Sequence, residues 1–143
     1  MIDLLDVNVC LALVDENHVH HTAAVDYWQK QAADTVAFCR ISLLGFLRLA
    51  TRKGVLGRTL TPEEAWAIVH RYLAEPGVVL LDEPAGIDEA FARYTSDPGF
   101  LPSDWTDAYL AAFAVTAGCR LVSFDAGFVR CPGLERLHLT PIG

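Results

Sequence analysis

Apolar residues along the chain fall into two patterns, short continuous runs and longer stretches with helical spacing. The runs have the length of buried strands, and residues 137–139 add a candidate edge strand. The other runs span residues 1–5, 35–39, 78–81 and 120–124. Between them, apolar side chains recur three and four positions apart, which predicts helices. The helices span residues 7–14, 21–33, 41–50, 62–75, 86–95 and 103–117. Strands alternating with helices favour a three-layer α/β/α fold with a mostly parallel central sheet of four to five short strands.

Local signals indicate where several of these helices begin and end. Thr61-Pro62-Glu63-Glu64 combines an N-cap, a proline at the first helical position and the glutamate of a capping box. Ser103 is the expected N-cap of the last long helix, and Gly118 is its expected stop. The helix over residues 41–50 places four apolar side chains at helical spacing, and all are expected on its buried face: Leu43, Leu44, Leu47 and Ala50.

The composition is typical of a chain that buries its own core. Its 143 residues suit one domain, residues 1–143, and 52% of them are hydrophobic. The four cysteines lack the spacing of a zinc site, so reduced thiols are expected. Asp3 and Asp6 interrupt the N-terminus before an apolar signal segment can form, and no apolar run reaches transmembrane length. We therefore expect a soluble cytoplasmic protein with no membrane partner.

The formal net charge of −7 does not by itself attract a nucleic acid. An RNA or DNA substrate would need metal ions or a local basic patch to approach this surface. The densest basic stretch contains Arg48, Arg52, Lys53 and Arg58. Arg48 is the member that we expect near substrate phosphate or near an acidic group.

Three aspartates stand where predicted strands end or helices begin. Asp6 follows the first strand, Asp107 lies in the first turn of the helix over residues 103–117, and Asp125 follows the fourth strand. In α/β proteins these positions share one edge of the sheet, where binding sites form. Carboxylates that converge there repel one another but suit a hard divalent cation with oxygen ligands. The pattern predicts a Mg²⁺ or Mn²⁺ site and, as its first chemistry, phosphodiester hydrolysis.

Three segments around these aspartates resemble motifs of the PIN-domain nucleases. Residues 4–9, Leu-Leu-Asp-Val-Asn-Val, resemble the N-terminal motif, and residues 105–114 resemble the acidic motif that opens an alanine-rich helix. Residues 121–128, Leu-Val-Ser-Phe-Asp-Ala-Gly-Phe, resemble the last motif. Order, spacing and element type agree from residue 1 to residue 128. The length, the segment 42–51 and the early histidines resemble the VapC-type toxins of bacterial toxin–antitoxin pairs.

The resemblance implies roles for particular residues. Asp6, Asp107 and Asp125 would act as catalytic residues by holding Mg²⁺ or Mn²⁺. Asn8 would hydrogen-bond a ligating carboxylate, and Ser123 would orient a water or a carboxylate. His18, His20 and His21 are interpreted separately, as a partly exposed cluster at a helix start rather than as metal ligands.

One departure from the family pattern affects the candidate site. PIN nucleases usually carry a second acid, a glutamate, in the helix after the second strand, and Gly45 occupies the aligned position. Three of four carboxylates remain, so waters would fill the vacant positions around a cation. Asp104 precedes Asp107 by three residues and is a candidate to replace part of the lost charge.

The resemblance also implies partners: an RNA substrate, transfer or ribosomal, a cognate antitoxin protein and a second copy of the chain in a homodimer. A catalytically weak PIN domain, which binds RNA or a protein without cutting, is the alternative. A haloacid-dehalogenase-like phosphatase also begins with a strand and an aspartate. That family needs an acid two residues after the first, where this chain has Asn8. A purely structural interaction domain would leave the three aligned aspartates unexplained.

Overall fold

The computed structural model describes residues 1–142. Five strands form its centre: β1 (Ile2–Leu5), β2 (Thr35–Cys39), β3 (Val78–Leu81), β4 (Arg120–Ser123) and β5 (Arg136–His138). The α-helices are α1 (Val7–Val14), α2 (His21–Lys30), α3 (Arg40–Ala50), α4 (Pro62–Leu73), α5 (Ile87–Thr95) and α6 (Trp105–Ala117). Two 3₁₀ helices, Pro102–Asp104 and Ala126–Arg130, flank α6 and β4. The predicted alternation of strands and helices is confirmed.

The strands form one parallel sheet in the order β3-β2-β1-β4-β5. β1 lies at its centre, where Leu4 pairs with Ala37 of β2 and with Leu121 of β4. The chain builds outward from β1 through β2 to β3, then returns to the other side of β1 for β4 and β5. The direction of winding therefore reverses between β1 and β4, and ligands of such sheets bind outside the carboxyl ends of the strands at this switch point.

The sheet separates two hydrophobic cores. Successive side chains of a strand point to opposite faces, so Leu4 and Leu5, both fully buried, belong to different cores. Leu5 packs with residues of α1, α2, α3 and α4 on one face. Leu4 packs with residues of α5 and α6 on the other. This arrangement is the expected three-layer α/β/α architecture.

A buried ion pair closes the amino end of the sheet. Arg120, the first residue of β4, donates to both carboxylate oxygens of Asp3 in β1, at 2.8 and 2.9 Å. Asp3 also accepts from the Tyr27 hydroxyl at 2.7 Å and from the Ala33 N–H at 3.0 Å. Arg120 further donates to the Gln31 carbonyl oxygen at 3.1 Å. We call this arrangement of Asp3, Arg120 and Tyr27 the amino-end clamp, because it joins β1, β4 and α2.

Two details differ from the sequence predictions. Ser103 is not the N-cap of α6: it lies inside the 3₁₀ helix Pro102–Asp104, and α6 begins at Trp105. The Asp104 carboxylate accepts from the Leu101 N–H at 2.9 Å and caps that shorter turn instead. Leu44 is not on the buried face of α3, since it is 56% exposed. The helical rhythm was correct for its neighbours, but α3 packs along a narrower stripe than the spacing implied.

Other local predictions are confirmed. The Thr61 hydroxyl accepts from the Glu64 N–H and the Glu64 carboxylate accepts from the Thr61 N–H, which completes the capping box at the start of α4. Gly118 ends α6 with φ of 72°, a left-handed conformation that favours glycine. Among the helices of residues 1–142, none combines the length and apolar character needed to span a bilayer.

Candidate active site

The fold brings the three predicted aspartates to one region at the switch point. Asp6 directly follows β1 and is the N-cap of α1. Asp125 follows the neighbouring strand β4 and caps the 3₁₀ helix Ala126–Arg130. Asp107 lies in the first turn of α6, the helix that precedes β4. β1, α6 and β4 thus contribute one acid each to the same edge of the sheet.

The Asp6 side chain is held by two short hydrogen bonds. One carboxylate oxygen accepts from the Val7 N–H at 2.7 Å, and the other accepts from the Ser123 hydroxyl at 2.7 Å. An aspartate N-cap satisfies a backbone N–H that the first helical turn leaves free. Each oxygen keeps a further lone pair, so a fixed Asp6 carboxylate remains able to accept a ligand.

Ser123 and Asn8 connect α1 with the end of β4. The Ser123 oxygen accepts from the Asn8 side-chain amide at 3.1 Å and from the Asp125 N–H at 2.9 Å. The Asn8 side-chain oxygen accepts from the Phe124 N–H at 3.2 Å. Ser123 is buried. Ser123 therefore contacts Asp6 and the backbone of Asp125 directly. Asn8 makes no hydrogen bond to a carboxylate in residues 1–142, which differs from the expected contact, and it contacts Ser123 and the Phe124 N–H instead.

Burial and the charges of neighbouring acids change the pKa values of the candidate acids. Burial, followed by the nearby charges of Asp6, Asp125 and Asp104, raises the pKa of Asp107 to about 6. Burial also raises the pKa of Asp6; the hydrogen bonds from Ser123 and Val7 oppose this rise, and the Asp125 charge adds to it. Across residues 1–142, none of the three candidate acids forms a salt bridge. The site thus collects negative charge that no salt bridge within residues 1–142 neutralises.

This arrangement fits a cation that keeps part of its hydration shell. Within the described chain, no three His, Cys, Asp or Glu side chains are placed to enclose one ion. Mg²⁺ usually binds through one or two carboxylates, with waters and substrate phosphates as its other ligands, and does not require an all-protein cage. Burial first and neighbouring acids second raise the pKa values of Asp6 and Asp107, and a bound cation would oppose both effects by favouring the ionised carboxylates.

The aligned position of the missing acid lies against the start of α1. Gly45 is buried in α3, and a Cβ atom placed there would lie 3.0 Å from Cγ2 of Val7. Val7 is the residue directly after Asp6. The glycine therefore allows α3 to approach α1 closely beside the candidate site, and any larger side chain would require Val7 to shift.

The two remaining candidates, Asp104 and Arg48, lie in different parts of the structure. Asp104 lies beside Asp107 in the same cleft, but its carboxylate already accepts from the Leu101 N–H. Arg48 is exposed near the end of α3. Its guanidinium makes no hydrogen bond or salt bridge with any residue that the structure describes. The structure thus provides no contact between Arg48 and the acids.

A cleft adjoins the acids, and the sequence analysis did not identify it. It has a volume of about 120 Å³ and lies between the segment 97–104, the start of α6 and the turn after β4. Asp107 and Asp125 line it together with Phe100 and Arg130. The only sequence signal for Arg130 is its place five residues after Asp125, in a turn that follows a strand end.

The early histidines begin α2, as predicted. His20 is the N-cap residue, and α2 starts at His21. The His20 ring stacks on Phe124, with ring centroids 4.4 Å apart and planes inclined by 12°. Phe124 lies between Ser123 and Asp125 in sequence, so His20 packs on the side chain of the residue that separates two site residues.

Comparison with known proteins agrees with this fold. Residues 4–134 match the model of the PIN domain, which covers all three aspartates. The chain therefore belongs to the PIN-domain family. Ribonuclease VapC41 of Mycobacterium tuberculosis is 38% identical over 138 residues, which cover 92% of this chain and 94% of that protein. Ribonuclease VapC37 of the same organism is 34% identical over 134 residues, covering 92% and 93%. Within the PIN-domain family, the chain groups with the VapC ribonucleases.

Solved structures share the fold at much lower sequence identity. VapC20 of Mycobacterium tuberculosis, described as a sarcin-ricin loop cleaving toxin, superimposes with a TM-score of 0.70 at 17% identity, covering 93% of this chain and 97% of that one. VapBC-1 from nontypeable Haemophilus influenzae gives a TM-score of 0.72 at 18% identity, covering 96% and 98%. At these identities the likeness concerns the fold alone.

Proposed function

We propose that the chain is a metal-dependent endoribonuclease that acts as the toxin of a toxin–antitoxin pair. The observation that carries the proposal is the group of three aspartates at the switch point, where burial first and the neighbouring acidic charges second raise the pKa of Asp107 to about 6. A structural role would favour paired carboxylates, because unpaired ones cost stability when they are partly buried. The 38% identity to a VapC ribonuclease supports RNA as the substrate.

In the proposed reaction, Asp6, Asp107 and Asp125 would hold Mg²⁺ or Mn²⁺ together with waters and substrate phosphate, because no three such side chains of the described residues enclose an ion by themselves. When bound, such an ion lowers the pKa of a coordinated water and stabilises negative charge on the scissile phosphate. Ser123 keeps the Asp6 carboxylate in place through its 2.7 Å hydrogen bond. Asn8 keeps the Ser123 hydroxyl directed at Asp6 by donating to the Ser123 oxygen from the opposite side. The three aspartates need no histidine base, since they act as ligands in their ionised form.

The proposal extends to partners and to the cellular compartment. Structural neighbours include VapBC toxin–antitoxin complexes, which supports a cognate antitoxin for this chain. We propose that the protein works in the cytoplasm as a homodimer and that its substrate is transfer or ribosomal RNA. The description of VapC20 as a sarcin-ricin loop cleaving toxin makes ribosomal RNA a natural first substrate to test.

The test is inducible expression of the wild type and of Asp6→Asn in cells without antitoxin, with total RNA followed over time. We expect growth arrest and discrete RNA fragments from the wild type only, because the substitution removes a charge from the metal site. Sequencing the fragment ends would identify the RNA and the cut. Arrest without fragments from both proteins would contradict the nuclease and indicate that the protein acts by binding.

A catalytically weak PIN domain is the second candidate, and Gly45 is the observation that favours it. The glutamate that usually completes the site is absent, and the Val7 side chain lies where a side chain at this position would begin. Such a domain would bind RNA or a protein and cut slowly or not at all.

The variant Gly45→Glu separates the two candidates. If the missing acid limits activity, the variant should cut RNA faster than the wild type at low Mn²⁺ concentration, because a fourth carboxylate raises metal affinity. The matched control is Gly45→Ala, which brings the same Cβ to 3.0 Å from Val7 without the charge. A loss of activity in both variants would instead show that the close contact of α3 with α1 is needed and that the wild-type site is complete without the glutamate.

A further inference from the structure

The cleft beside the acids is shaped by residues with no part in holding a metal. Its polar side contains Asp107 and Asp125, and its apolar side contains Phe100 and the buried side chains of Tyr94 and Phe128. The Tyr94 hydroxyl donates to the Pro132 carbonyl oxygen at 2.7 Å, which fixes that wall. A ligand in this cleft would contact two of the three candidate acids and an aromatic surface at once.

Arg130 gives the cleft one positive charge that is not part of a salt bridge within the described residues. It ends the 3₁₀ helix after Asp125 and lines the cleft together with four aspartates: Asp97, Asp104, Asp107 and Asp125. In the part of the chain that the structure describes, Arg130 forms no salt bridge with any of them. A guanidinium that does not pair with surrounding carboxylates keeps its N–H donors for an anion, and its planar geometry suits a phosphate.

Phe100 lines the cleft, and the exposed Trp105 ring packs against it. The Phe100 and Trp105 rings meet edge to face, with centroids 4.9 Å apart and planes inclined by 79°. Phe91 supports Trp105 from another direction, with centroids 5.8 Å apart. Trp105 is nevertheless 52% exposed. We call Phe100 and Trp105 the aromatic shelf; its rings are held in place before any ligand arrives, which lowers the cost of stacking.

We propose that this cleft binds one nucleotide of a single-stranded RNA next to the scissile phosphate, with its base on the aromatic shelf and its phosphate on Arg130. The inference rests on the proposed ribonuclease function and names the substrate groups that the site recognises. Unpaired bases stack on aromatic side chains, whereas an RNA duplex keeps its bases stacked on one another. A peptide with several carboxylates would need several cationic partners, whereas the cleft supplies one arginine, which is enough for a single phosphate.

The test is a titration of ¹⁵N-tryptophan-labelled wild type, in Mg²⁺, with adenosine 5′-monophosphate, adenosine and inorganic phosphate. The chain has three tryptophans, and Trp105→Phe assigns the indole signal of Trp105. We expect the monophosphate to shift that signal most and adenosine to shift it less. Trp66 is the internal control, since it is 42% exposed but lies on α4. An unshifted Trp105 signal, or an equal shift at Trp66, would overturn the proposal.

Single-residue variants separate the base contact from the phosphate contact. Trp105→Ala should weaken binding of both adenosine and its monophosphate at least about fivefold, as is typical for loss of one stacked base, and Trp105→Phe should restore most of it. Arg130→Gln should weaken the monophosphate but leave adenosine unchanged. Arg71→Gln, an exposed arginine on α4, is the matched control and should change neither. Equal losses for adenosine and its monophosphate in Arg130→Gln would contradict the phosphate contact.

The titration also separates this inference from the proposed function, because it does not depend on cleavage. If the monophosphate shifts Trp105 but the wild type cuts no RNA, the nucleotide site stands and the ribonuclease proposal fails. If the wild type cuts RNA while Trp105→Ala and Arg130→Gln cut the same RNA at the same rate and the titration shows no shift, the nucleotide site fails and the ribonuclease proposal stands.

Discussion

Ser123 connects two of the candidate acids through one hydroxyl group. It donates its single proton to Asp6 at 2.7 Å and accepts from the Asp125 N–H and from the Asn8 amide. Because the hydroxyl has only one proton, the donors on its other side direct that proton toward Asp6. The small side chain therefore joins the end of β1 to the end of β4. The spacing of Asp6 and Asp125 depends on this connection.

Asp107 should reduce the stability of the metal-free protein at neutral pH. Its pKa is raised from 3.8 to about 6, so the folded state binds the proton more tightly than the unfolded state. The stabilisation from the protonated form is complete below pH 3.8 and is lost as pH rises through about 6. The full shift corresponds to about 3 kcal/mol, which solvent screening at this half-buried group reduces to about 1–2 kcal/mol.

We therefore expect Asp107→Asn to melt about 5 °C higher than the wild type at pH 7.5 in EDTA. The difference should disappear near pH 4, where the wild-type carboxyl is also neutral. Thermal unfolding followed by circular dichroism at several pH values measures both limits. Equal melting temperatures at all pH values would show that neither burial nor the neighbouring charges destabilise the ionised Asp107 carboxylate, and the electrostatic argument for the metal site would lose its basis.

At the scale of the elements, β1 and β4 position the candidate site at one end and stabilise the sheet at the other. Their carboxyl ends position Asp6 and Asp125, and their amino ends are joined by the amino-end clamp. Burial alone would raise the pKa of Asp3. Hydrogen bonds from Arg120, Tyr27 and the Ala33 N–H, with the charge of Arg120, outweigh burial and leave that pKa below 3.8. Asp3 thus stabilises the fold above pH 3.8, and this contribution is lost as pH falls through its lowered pKa.

Removing one partner of the clamp should be costly. We expect Arg120→Met to lower the free energy of unfolding at pH 7 by about 3–5 kcal/mol, because it leaves the fully buried Asp3 carboxylate without its counter-charge. The double variant Asp3→Asn/Arg120→Met should recover part of the loss. Arg58→Met, which breaks the exposed pair with Glu64, is the control and should change little. Urea unfolding measures all four proteins, and a double variant less stable than Arg120→Met would contradict the unpaired-charge explanation.

Features that depend on neighbouring residues in the sequence were predictable, whereas features that depend on which elements meet in space were not. The start of α4 and the end of α6 follow from capping signals within a few neighbouring residues, and the strands follow from continuous apolar runs. The three aspartates were predictable because strand ends and helix starts share one edge of any such sheet. The Asp3–Arg120 pair, 117 residues apart in sequence, follows only from which strands become neighbours. Phe100 and Arg130 depend on the paths of irregular segments, for which the sequence carries no periodic signal.

At the scale of the whole molecule, the net charge of −7 limits how the chain can hold RNA. Each phosphate neutralised on a single strand contributes a slope of about −0.7 to the dependence of log affinity on log salt concentration. The cleft supplies one arginine, and the basic stretch that includes Arg48 lies elsewhere, on and after α3.

We expect Asp6→Asn protein, which should not cut, to bind a single-stranded RNA in Mg²⁺ with a salt slope no steeper than about −2, that is, at most about three phosphate contacts. Fluorescence anisotropy across a range of KCl concentrations at fixed Mg²⁺ measures the slope. A slope several times steeper would reveal an extended basic surface and would contradict a recognition mode that depends on metal and base stacking.

The 2.7 Å hydrogen bond between Ser123 and Asp6 also joins residues that are made at different times. They are separated by 117 positions, and ribosomes add about 5–20 residues per second, so Ser123 is added about 6–23 s after Asp6. Throughout that interval β1, the central strand, lacks its neighbour β4, and the acids at its end cannot assemble. The acids at this edge of the sheet can therefore assemble only after β4 has been synthesised, although Asp6 is among the first residues of the sequence.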